Sequence, residues 1–173
     1  QGRVILFGTL ALFSIFLWLL WDGLILGDPL YFTHSDFSAK SQQQHWLGRG
    51  ELPAYYNLPV AMLYYLVTSM SNIGVLAFLI SLVGLMIFLG DRKILHRFYI
   101  FLLLFVPFIF NVATMYLGQS VIFIPHLTPI TFEWTLFNVR YGVMMVPFAA
   151  AFVAYLFYRS KMAGRILIGG LLL

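Results

Sequence analysis

The chain has 173 residues, 62% of them hydrophobic and only 9% charged, with a mean hydropathy of +0.93. A water-soluble domain carries about 25% charged residues, so a soluble globular fold is excluded and an integral membrane protein is expected. The net charge of +4 comes from short basic clusters between apolar runs, which encode topology and are no nucleic-acid footprint. The absence of cysteine removes disulfides, thiol nucleophiles and zinc–thiolate sites.

Apolar runs of span length favour a helical bundle over a barrel, whose strands alternate in short segments. The expected fold is an all-α integral membrane bundle: about four complete transmembrane helices, an incomplete fifth, and interfacial helices in an outer loop. The first span covers residues 4–26. It is longer than the 7–15-residue apolar core of a signal peptide and lacks a small-x-small cleavage site. Trp18, Trp21 and Tyr31 suggest an aromatic belt at its far end. In the polar segment 27–57, Gly27-Asp28-Pro29 is turn chemistry. Ser35 is placed to cap a short helix reaching Gln44, with Asp36 in its first turn. Phe37, Trp46 and Leu47 would anchor that helix on the membrane surface, and Gly48 and Gly50 end it.

Pro59 opens an apolar stretch to Leu89 that would be about 46 Å long as one helix, too long for one untilted crossing. A split near Ser69-Met70-Ser71-Asn72 is therefore expected, with 59–68 in or near the interface and 73–89 spanning. After the basic loop from Asp91 to Arg97, a third span covers 98–117, with a kink expected at Pro107. The loop 118–138, carrying Pro125 and Pro129, is expected to be extended. A fourth span covers 139–158, with a kink expected at Pro147. After Arg165 only residues 166–173 remain, against the roughly 20 that a crossing takes. With Gln1 in place of an initiator Met, residues 1–173 read as a single membrane domain, a piece of a longer polytopic protein. Arg3, Arg92, Lys93, Arg97, Arg159, Lys161 and Arg165 fall on one side, and Lys40, Arg49 and Arg140 on the other. This asymmetry places the first group in the cytoplasm and the loops 27–57 and 118–138 outside the cell membrane. Five of the six acids lie in or beside those outer loops, so chemistry is expected on that face.

Arg140 is the sharpest single residue, in Phe137-Asn138-Val139-Arg140-Tyr141-Gly142. Its planar fork could grip phosphate while Tyr141 stacks or donates a hydrogen bond. Equally it could be an interfacial arginine that anchors the helix, and spacing alone favours that second role. Asp22 could hold a cation or pair with Arg140 or Lys40, or be a helix-end acid level with the headgroups. His34, Asp36, His45, His126 and Glu133 lack metal-ligand spacing, so no metal site is assigned. Gly23-x-x-x-Gly27 fits a helix contact or simply a flexible helix end. Ala150 and Ala154 form a small face suited to helix packing. Met144 and Met145 suit the core or the lipid. No nucleotide fingerprint or Ser/His/Asp arrangement is present.

Three stretches taken together carry a resemblance. The first is Gly27-Asp28-Pro29-Leu30-Tyr31-Phe32, continuing through Phe37-Ser38-Ala39-Lys40-Ser41-Gln42-Gln43. The second is Met115-Tyr116-Leu117-Gly118-Gln119-Ser120-Val121-Ile122 with Pro125, and the third is Phe137 to Gly142 followed by Val146-Pro147. In this order they resemble the later half of prokaryotic GT-C-type membrane glycosyltransferases, the broad group of protein mannosyltransferases and lipid A aminoarabinose transferases. The resemblance implies a polyprenyl-phosphate-linked sugar as donor and transfer outside the membrane to a lipid, glycan or protein acceptor. It implies that Arg140 binds the lipid-linked phosphate, with Lys40 a second candidate, and that Tyr141, Tyr116, Gln119 and Asp22 line the cavity. The family's catalytic acid lies in an early outer loop that has no counterpart here, so neither Asp28 nor Asp36 inherits that role. By itself the segment is expected to be inactive and to need no cofactor, which leaves a divalent metal to the full protein. A transporter or flippase half, and a non-catalytic assembly domain, are the alternatives.

Overall fold

The computed structural model describes residues 2–36 and 38–172, with the backbone alone at residues 39 and 40. Three helical runs are long and apolar enough to cross a membrane: α1 (Gly2–Leu26), α6 (Arg97–Tyr116) and the 21-residue run Val139–Arg159. A fourth arises if α4 (Leu58–Ile73) and α5 (Val75–Gly90), bent by 106° at the break between them, count as one broken span. Among the described residues there is no β-strand, only an isolated antiparallel bridge between Phe123 and Phe137. The apolar surface is large and uncovered: Val4, Phe7, Leu24, Leu103 and Met86 are each at least 73% exposed. Water would penalise such a surface, whereas lipid accepts it, so this is the exterior of a membrane protein.

The chain divides into two compact units, residues 1–45 and 46–173. In the first, α1 ends where Gly27 takes a φ of +75°, a conformation cheap only for glycine. Asp28 then organises the return. Its Oδ1 accepts from the Leu30 N–H at 2.8 Å and its Oδ2 meets His34 Nε2 at 2.8 Å, closing the short α2 (Tyr31–His34). Pro29 lies against Gly23, where a Cβ would come within 3.1 Å of its ring. The Gly23-x-x-x-Gly27 spacing is therefore spent on this turn. Ser35 does not cap the next helix as expected; it closes α2, its N–H bonded to the Tyr31 carbonyl. The helix that follows, α3 (Ala39–Gly48), is started by Ser38, whose Oγ accepts from the Ser41 N–H at 3.1 Å. The anchor expected at Phe37 lies outside the described residues.

The second unit packs α4, α5, α6 and α7 (Val146–Arg159) around Tyr64, Tyr65, Met115, Ile122, Phe148 and Phe152. The break expected at residues 69–72 falls later, at Gly74. Ser69, Ser71 and Asn72 bond back to carbonyls four residues earlier at 2.8–2.9 Å, so they satisfy themselves inside the helix and do not end it. Gly74, at φ +87°, supplies the corner. α6 runs unbroken through Pro107, whose carbonyl accepts from Asn111 Nδ2 at 2.8 Å.

The loop 118–138 is folded, not extended. Phe123 and Phe137 exchange backbone hydrogen bonds at 3.0 Å, and with Trp46, Leu52, Val121 and Phe132 they form a second apolar cluster. Nor is Pro147 a kink within a fourth helix. Residues Val139–Met145 form a 3₁₀ helix, and Pro147 sits in the first turn of α7, where a missing N–H costs nothing. Ala150 and Ala154 are exposed, and the packing face of α7 is carried by Phe148, Ala149 and Phe152. The last helix, α8 (Met162–Leu172), starts earlier than expected, and within it Arg165 turns back to the Phe157, Tyr158 and Ser160 carbonyls at the end of α7.

Candidate functional site: the arginine turn

The site is built on the 3₁₀ helix Val139–Met145. Asn138 enters it in the left-handed region, φ +56°, which asparagine tolerates better than most residues. The Asn138 side-chain amide donates to the Val121 carbonyl at 3.1 Å, tying the turn to the folded loop. From the other side, one face of α4 receives it. Tyr65 Oη donates to the Tyr141 carbonyl at 3.2 Å, and Asn72 Nδ2 donates to the Val139 carbonyl at 2.7 Å. Between them Gly142 lies on the Thr68 carbonyl so closely that a Cβ would collide with it and stand 2.6 Å from Asn72 Nδ2. Residues 65, 68 and 72 are spaced i, i+3, i+7 and share one helix face. Asn111 of α6 completes the arrangement, donating to Tyr65 Oη at 3.1 Å with Met144 Sδ at 3.4 Å.

Arg140 projects from this clamped turn. It is exposed, its guanidinium carbon is 5.9 Å from the centre of the Tyr141 ring, and it pairs with no acid among the described residues. With Leu136, Phe137, Asn138 and Val139 it lines an open cleft of about 430 Å³. A guanidinium with a free fork beside an aromatic ring is suited to a planar or tetrahedral anion.

The other expected site residues are dispersed. Tyr141 is half-buried, with its ring against the core and its carbonyl held by Tyr65. Tyr116 lines a different cleft of about 340 Å³, wholly apolar, with Leu58, Met62, Phe105, Phe108 and Ile109. Its carbonyl accepts from the Tyr56 N–H. Gln119 is exposed, its N–H bonded to the Thr114 carbonyl. Asp22 belongs to the first unit and is the buried residue of α1, at 6% exposure. Lys40 lies on α3, with its side chain outside the described residues. No group of three or more His, Asp or Glu side chains comes together among the described residues. His34 instead pairs with Asp28, and Glu133 with Arg49.

A polar cluster that sequence reading did not assemble lies on the loop side of the second unit. Arg49 bonds Glu133 and stands 3.5 Å from Glu51, while Trp46 Nε1 donates to Glu133 at 3.0 Å. Arg49, with Trp46, holds the Glu133 carboxyl below its ordinary range. Glu133 is more than 80 residues from Trp46, Arg49 and Glu51 in the chain, so no local spacing announces the cluster. Asn72 did carry a signal: an amide inside an apolar run must find hydrogen bonds or incur a large cost.

Comparison with protein-family models, with curated proteins and with solved structures finds no match to this chain.

Proposed function

We propose that the chain is the membrane portion of a glycosyltransferase that moves a sugar from a polyprenyl-phosphate donor to a lipid, glycan or protein acceptor outside the cell membrane. The observation that carries this reading is Arg140: exposed, with no acidic partner among the described residues, lining an open cleft, and flanked by two carbonyls that α4 holds. The motif resemblance supplies the donor class, and the charge asymmetry supplies the side. In this reading the chain is multi-pass, with α4 and α5 together making one of four crossings and α3 lying on the outer interface. Positive charge stabilises the departing polyprenyl phosphate, a task for Arg140. Tyr141 stacks beside the guanidinium. The folded loop 118–138 keeps water from the sugar. The base that activates the acceptor is assigned to no residue here, and a divalent metal, if used, belongs to the full protein.

The broken α4–α5 pair favours a second reading, a transporter or flippase half, since discontinuous helices often build solute sites. A purely assembling membrane domain is the third reading, and it requires Arg140 to tolerate replacement. Binding of a polyprenyl phosphate to the protein in detergent, followed by tryptophan fluorescence, separates them. Arg140→Ala should weaken binding about tenfold or more, the scale of a hydrogen-bonded charge pair, and Arg140→Lys should restore part of it. A neutral polyprenol should be indifferent to both. Equal affinity of wild type and Arg140→Ala for the phosphate removes Arg140 from the function.

A further inference from the structure

We infer that Asn72 and Tyr65 of α4 are positioning residues for Arg140, acting through the backbone of the 3₁₀ turn and touching no ligand themselves. The inference rests on the phosphate reading only for what Arg140 would hold, and its mechanical part stands on geometry alone. Two carbonyls flanking Arg140, those of Val139 and Tyr141, are taken by Asn72 Nδ2 at 2.7 Å and Tyr65 Oη at 3.2 Å. Asn72 Nδ2 also donates to the Thr68 carbonyl at 2.8 Å, so both its amide hydrogens are spent and its direction is set. Tyr65 is fully buried, and Asn111 fixes its hydroxyl from α6. Gly142 lets α4 approach to backbone contact, which makes both bonds reachable. Arg140 is thus held one residue from each anchor, while its own side chain pairs with no acid among the described residues. An arginine on a mobile loop would lose rotational freedom on gripping an anion, whereas a fixed turn has already given up the backbone part. Both bonds lie among apolar helices, where little water competes for the carbonyls.

The test uses the absence of native cysteine. A nitroxide on Arg140→Cys should give, in detergent, the ordered, intermediate-width spectrum of an exposed side chain on a fixed backbone. Adding Asn72→Ala should sharpen it, and the gentler Tyr65→Phe, which keeps the ring, should do so partially. Unchanged line shapes in both variants overturn the inference. In the polyprenyl-phosphate titration, Asn72→Ala should weaken binding about fivefold when Arg140 is present, the scale of one hydrogen bond, and have no further effect in Arg140→Ala. Losses that simply add would mean general destabilisation and overturn the positioning role. Should Arg140→Ala leave binding intact while the label still loosens in Asn72→Ala, the phosphate reading falls and the mechanical one holds.

Discussion

Arg140 and Arg49 share one chemistry and differ in company. Arg49 stands between Glu51 and Glu133, so its charge is used within the fold. Arg140 has an aromatic ring beside it and no acid among the described residues, which is what leaves it available to an incoming anion. The Arg49–Glu133 contact also makes a statement about pH. The Glu133 carboxyl is depressed in the fold, chiefly by its hydrogen bond from Arg49. Its contribution is therefore complete above the ordinary glutamate value, about 4.3, and is lost as pH falls through the lower folded value. Amide exchange in residues 118–138, corrected for intrinsic rate, should lose protection on acidification below about pH 4. Glu133→Gln should show reduced protection already at neutral pH, with a flatter profile. Identical profiles for the two proteins would show that the pair does not hold the loop.

Among the elements, α5 and α7 share the most extensive contact, and Gly84 lies under the Phe152 carbonyl with no room for a Cβ. The Phe88 ring then meets Phe152 edge-on at 5.3 Å, and Tyr155 donates to Asp91 at 2.6 Å with Arg159 at 3.7 Å. The hydrogen bond from Tyr155 chiefly, with the Lys93 N–H and the Arg159 charge, holds the Asp91 carboxyl below its ordinary range, so this end of the pair is fastened by a hydrogen-bonded carboxylate. Gly84→Ala should destabilise by about 1–3 kcal/mol, the usual scale of overpacking, read as a lower unfolding midpoint in mixed detergent, while Gly90→Ala, with open space around it, should not. Helices of span length were legible because twenty apolar residues have few other uses. What escaped was set by tertiary partners. Ser69, Ser71 and Asn72 looked like a break and are internally satisfied. Val139–Met145 looked like the start of an α-helix, but α4 takes its carbonyls. The loop 118–138 looked extended because its phenylalanines find their buried face on Trp46 and Leu52, far away in the chain.

For the whole molecule, hydropathy carried the membrane assignment, and the exposed apolar helix faces agree with it. Arg140 was visible as an isolated charge at a helix start. The clamp that aims it was not, since its parts come from α4, α6 and the loop. The proposed function depends most on one fact of placement: the loop 118–138, and the arginine turn tied to it, must face away from the cytoplasm. Thr131 is exposed on that loop and the chain has no other thiol, so Thr131→Cys gives a clean probe. In intact cells it should react fully with a membrane-impermeant maleimide added outside. Labelling only after the membrane is opened would place the loop in the cytoplasm and contradict the account.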